Sequence, residues 1–111
     1  MDDDFSVTLA LRDGCRVLVA QGELDMSNVA RLDEALAACM DGLPVIVDLS
    51  TLTFIDSCGL HVLLQGRNGS RPAALVRVPG SNVGRVLDIV NVAKSLPVYD
   101  DLTEAVEKLG S

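Results

Sequence analysis

The chain has 111 residues, 49% of them hydrophobic but only 3% aromatic, and sixteen acidic residues against nine basic ones give a net charge of −7. That charge repels phosphate backbones and anionic lipid, which argues against nucleic acid as a direct ligand and against direct membrane contact. At this length one domain over residues 1–111, with its core over about 5–109, buries roughly two-thirds of the unfolded surface without a metal or disulfide staple.

In chain order, apolar and polar residues alternate over 5–11 through Phe5, Val7, Leu9 and Leu11, and Arg12-Asp13-Gly14 turns the chain into a second strand over 15–20. The pair predicts a β-hairpin. Gly22-Glu23-Leu24-Asp25 is the next punctuation. After it Val29, Leu32, Leu36, Cys39 and Met40 recur at helical spacing, with Ser27 available as a cap and Arg31, Asp33 and Glu34 on the outer face. Gly42 and Pro44 end that helix. Val45, Ile46, Val47 and Leu49 then predict a strand covered on both faces, with Asp48 as its polar exception, expected to be a structural acceptor or part of the functional surface.

Residues 50–56 read as a short connection, and Asp56 or Ser57 can cap a helix over about 57–68 that carries Leu60, Leu63 and Leu64. Gly69-Ser70-Arg71-Pro72 breaks it before a short strand over 73–78. Ser81 can cap a third helix with Val83, Val86, Leu87 and Val90 on one stripe, and residues 96–99 supply a last strand. Asp101 and Glu104 have capping-box spacing before a final helix that buries Leu102, Ala105, Val106 and Leu109 and stops at Gly110. The order β-β-α-β-α-β-α-β-α predicts an α/β fold: a mostly parallel central sheet with an N-terminal antiparallel hairpin and about four helices.

Three residue groups bear on chemistry. Cys15, Cys39 and Cys58 are odd in number, widely spaced and without a CxxC pair, so reduced thiols are expected and neither a disulfide framework nor a metal site is supported. No apolar run approaches the length of a membrane span, and MDDDFSV lacks the basic and apolar regions of a secretory signal; the chain is expected to be cytoplasmic. Residues 66–70, GRNGS, have neither the spacing nor the lysine of a phosphate-binding loop, and no cofactor is implied.

GELD at 22–25, VDLS at 47–50, FIDSCGL at 54–60 and LPVYDDLTEAV at 96–106 together resemble a STAS domain of the bacterial anti-sigma factor antagonist branch, in the right order and over nearly the whole chain. The resemblance implies partner switching. An unphosphorylated antagonist binds an anti-sigma factor, itself a serine kinase with a histidine-kinase-like ATP fold, and frees the sigma factor; phosphorylation at the start of the helix after the central strand ends the binding, and a serine phosphatase restores it. The usual acceptor is the hydroxyl residue just before the glycine, a position held here by Cys58. Three readings follow: Ser57 takes the phosphate instead, the chain is an always competent antagonist, or Cys58 senses redox state. The implied partner-binding residues are Asp25, Ser27, Asp56, Ser57, Cys58 and Gly59.

Plainer roles stand beside these. Ser57 could be only an N-cap, Cys58 a small packed residue, and Glu23 and Asp25 solvated or capping acids. His61 lies four residues from Ser57 and three from Cys58, but one helix turn does not by itself build a substrate cleft. The expected protein is a binding module without catalytic residues; the rivals are a STAS subunit of a transporter ATPase, a small-molecule or nucleotide sensor with a pocket at the carboxyl ends of the strands, and a hydrolase.

Overall fold

Asp13 and Gly14 both take positive φ, 49° and 84°, the backbone that a two-residue hairpin turn requires and that Asp-Gly accepts readily. They join β1 (Ser6–Arg12) to β2 (Cys15–Leu24) in antiparallel register, with Arg12 opposite Cys15. The computed structural model describes residues 5–39, 41–65 and 71–110.

β2 is followed by α1 (Val29–Ala37), β3 (Val45–Ile55), α2 (Ser57–Gln65), β4 (Ala74–Val76), α3 (Asn82–Ile89), β5 (Val98–Tyr99) and α4 (Leu102–Leu109), with a 3₁₀ turn at Val92–Lys94 that the sequence pattern did not announce. The sheet runs in the order β1-β2-β3-β4-β5, and every pair after the hairpin is parallel. The mixed sheet and the four helices match the predicted class. Because the parallel strands add in one direction, crossovers of one hand carry their helices to one face. α1, α2 and α3 accordingly pack Leu32, Leu36, Leu63 and Leu87 against Leu18, Val47 and Leu75. The opposite face holds a smaller cluster in which Ala105 and Val106 of α4 meet Val17, Ile46, Ala74 and Val76.

Strand lengths depart most from the sequence pattern. Residues 50–55 are not a connection but the second half of β3. They pair with a β2 that continues past Ala20 through two register shifts, one of them beside Gly22 at φ 94°. Thr51 and Thr53 suit this extended stretch, since their hydroxyls donate to the carbonyls of Ala20 (3.4 Å) and Gly22 (3.0 Å) across the strand pair. β4 is correspondingly shorter than 73–78, and α2 is described only to Gln65; the predicted helix end and the turn at 66–70 lie outside the described residues, as does Met40.

Side-chain placement differs at three points. Asp33 is buried instead of filling the outer face of α1, and Val90 is exposed at the end of α3. In β1 the apolar alternation is real, but α1 covers only its first half: Phe5 is buried, with Arg31 5.1 Å over its ring, whereas Leu9 and Leu11 are 51% and 60% exposed. The caps of α3 and α4 follow expectation, as Ser81 accepts from the Gly84 N–H (3.0 Å) and Asp101 from the Glu104 N–H (2.8 Å), with Gly110 closing α4.

Candidate functional site

Leu24 and Ile55 are register partners at the carboxyl ends of β2 and β3. Each strand therefore hands over to its helix at the same corner, and the starts of α1 and α2 lie side by side. One carboxylate ties them together. Asp56 Oδ1 accepts from the Gly59 N–H (3.0 Å), capping α2, while Oδ2 accepts from the Met26 N–H (3.1 Å) in the turn before α1. The Asp56 N–H in turn donates to the Leu24 carbonyl (3.2 Å).

The turn before α1 is held by side chains as much as by backbone. Asp25 Oδ1 accepts from both the N–H (2.9 Å) and the hydroxyl (2.5 Å) of Ser27, an Asx turn. Ser27 is thus not the cap that its position suggested. Asn28 occupies the N-cap position, without a capping bond, and is itself buried: its Oδ1 accepts from the Asp25 N–H (3.0 Å) and its Nδ2 donates to the Glu23 carbonyl (2.8 Å). An amide is the side chain that can satisfy one buried donor and one buried acceptor at once.

Gly59 explains why the two helix starts can sit so low on the sheet. A Cβ there would come within 2.9 Å of both Ile55 Cγ1 and Leu24 Cδ2, too close for either to remain in place. Gly59 is buried, so it shapes the corner without offering surface. The cap being Asp56, Ser57 is the first residue of α2, exposed, and among the described residues no hydrogen bond holds its hydroxyl. Cys58 is half-buried and packs against the main core, and His61 is exposed one turn further on, with no hydrogen bond to Ser57.

Between the two helices lies an open groove of about 350 Å³ lined by Met26, Val29, Ser57, Cys58, His61 and Val62. Met26 stands at its rim, 76% exposed. The corner thus brings together Asp25, Ser27, Asp56, Ser57, Cys58 and Gly59, all six of the residues that the sequence pointed to. Asp48 is not among them; it is buried in mid-strand and accepts from the Ser50 N–H (2.9 Å), a structural role. The sequence reading missed Met26, Val29 and Val62 in the groove and Asn28 beneath it. Only Asn28 gave a local signal, as a cap-type residue directly before the helical stripe. Among the described residues no group of three or more potential metal ligands occurs, and no helix is long and apolar enough to cross a membrane.

The three thiols differ in access. Burial raises the pKa of Cys15, with a smaller contribution from the Asp13 carboxylate, and burial likewise raises that of Cys39, whose Sγ donates to the Ala35 carbonyl (3.2 Å). Iodoacetamide at pH 8 is therefore expected to modify Cys58 alone in the native protein, with Cys15 and Cys39 reacting only on unfolding. Mass spectrometry of the labelled peptides checks this, and native labelling of Cys15 or Cys39 at a comparable rate would contradict it.

The STAS domain family description matches residues 6–105. The anti-sigma-F factor antagonist RsfB of Mycobacterium tuberculosis is 29% identical over 108 residues, spanning 94% of this chain and 88% of RsfB. Among solved structures, an anti-sigma factor antagonist from Mycobacterium paratuberculosis superposes with a TM-score of 0.82 at 24% identity, covering 96% of this chain and 95% of its own. The Bacillus protein SpoIIAA shares the fold at 18% identity. Its unphosphorylated form has a TM-score of 0.69, over 93% of this chain and 95% of its own, and its phosphorylated form 0.61, over 93% and 98%.

Proposed function

Because the chain belongs to the STAS domain family, we propose that it is an anti-sigma factor antagonist, a binding protein and not an enzyme, whose contact surface is the paired helix start around the Met26–Cys58 groove. Its partner is an anti-sigma factor that is also a serine kinase with a histidine-kinase-like ATP fold, and Ser57 is the residue that this kinase modifies. The observation that carries the reading is the division of labour at the start of α2. Asp56 supplies the cap, so the Ser57 hydroxyl is left exposed and, among the described residues, unengaged at the groove between the two helix starts.

Cys58, at the usual acceptor position, turns toward the core and does packing work, which favours its neighbour as the acceptor over a redox role. A phosphate on Ser57 adds about −1.5 to −2 charges beside Asp56, on a chain that already carries a net charge of −7. A partner that covers the corner would have to desolvate that charge, while the fold, which does not use the Ser57 hydroxyl, is undisturbed. A serine phosphatase completes the cycle. Incubation with the partner kinase and ATP, followed by peptide mass spectrometry, is expected to place one phosphate on Ser57, absent in Ser57→Ala and retained in Cys58→Ala. No incorporation would instead make the chain an always competent antagonist.

A further inference from the structure

Among the described residues β1 pairs with β2 on one side and with no strand on the other, so the outward half of its backbone N–H and C=O groups forms an open sheet edge. Natural edges are usually blunted by proline, lysine, a bulge or a covering element. Among the described residues β1 has none of these. It holds unbroken register from Ser6 to Arg12, and its sequence SVTLALR has a single charge, at its last residue. The same strand carries Leu9 and Leu11 half-exposed on the helical face of the sheet, where α1 stops short of covering them. An added strand would satisfy both needs at once, pairing the open backbone and covering the two leucines.

We propose that the occupant of this edge is a second copy of the chain, paired β1 to β1 in antiparallel fashion about a two-fold axis at Leu9. A two-fold contact must be complementary to itself, and the strand is. With Leu9 facing Leu9 of the other copy, Leu11 falls opposite Val7 and Ala10 opposite Thr8, so large apolar side chains meet on one face and small ones on the other. On a chain of net charge −7, residues 5–11 are a stretch without any charge, where two copies approach with least repulsion.

Such a contact is smaller than a standard interface, so the dimer is weak, dissociating in the range of about 100 micromolar. Sedimentation velocity from about 10 to about 500 micromolar spans that range. The wild-type mass is expected to rise from monomer toward dimer. Leu9→Lys, which installs the missing edge charge at an exposed position, should weaken the association at least ~10-fold with an unchanged circular-dichroism spectrum and thermal melt. Ile89→Lys alters an equally exposed apolar residue on α3, 82% exposed and away from the edge, and should dimerise like wild type. A wild-type protein that stays monomeric throughout, a Leu9→Lys variant that dimerises normally, or loss of the dimer in Ile89→Lys would each overturn the proposal.

Discussion

Ser57→Asp is expected to weaken binding to the anti-sigma factor about 100-fold, or roughly 2.7 kcal/mol, without lowering the thermal midpoint. The two halves of this expectation have separate causes. Binding falls because a carboxylate placed beside Asp56 must be desolvated and faces a partner surface selected for a neutral hydroxyl, a mismatch that costs several kcal/mol when charges are buried. Stability holds because the Ser57 side chain makes no hydrogen bond among the described residues, while an acidic group in the first turn of a helix interacts favourably with its unpaired N–H groups. Ser57→Ala should bind as tightly as the unmodified chain and fail only as a phosphate acceptor. Titration calorimetry alongside thermal denaturation separates the cases: unchanged affinity removes Ser57 from the contact surface, and a collapsed melt means that its role is structural.

Asn28→Ala should destabilise the fold by about 3 kcal/mol, which for a chain of this size is some 10 °C or more in the melting midpoint. Truncation leaves the Asp25 N–H and the Glu23 carbonyl, both part-buried, without the partner that the buried Asn28 amide supplies. Asn28→Asp keeps an acceptor for the Asp25 N–H but has no donor for the Glu23 carbonyl, so it should be destabilised as well. Partner binding falls with either change, since the turn that carries Met26 and Ser27 is anchored through Asn28. A shift of less than about 2 °C in Asn28→Ala would show that the amide is dispensable.

These two residues also mark what could and could not be read from the sequence. Ser81, Asp101 and Gly110 declare their roles locally, because a cap acts on N–H groups only two or three residues away. The same holds for Asp13-Gly14, where positive φ at two successive positions is a local demand. At Asp25-Met26-Ser27-Asn28, by contrast, two cap-type residues stand side by side. Which one turns inward is decided by the Glu23 carbonyl and the Asp25 N–H, which only the Asn28 amide can serve together, so the local pattern points to Ser27 where the structure uses Asn28.

Strand ends were obscure for a related reason. Residues 50–55 look like a polar link until their partner is known, and that partner is the part of β2 beyond Ala20, about thirty residues earlier in the chain. The corner itself was legible as a list of residues because they cluster in short motifs. Its groove was not, since Met26 and Val29 come from one helix start and Val62 from the other, and only the register of β2 on β3 brings them together.

Capture of partners from extract of the native cell, with the unmodified chain and Ser57→Asp used side by side as bait, tests the central claim most directly. The account predicts that the unmodified chain retains an anti-sigma factor bearing a histidine-kinase-like ATP domain and that Ser57→Asp loses it. Equal retention by both baits, or recovery of a transporter ATPase in its place, would contradict it.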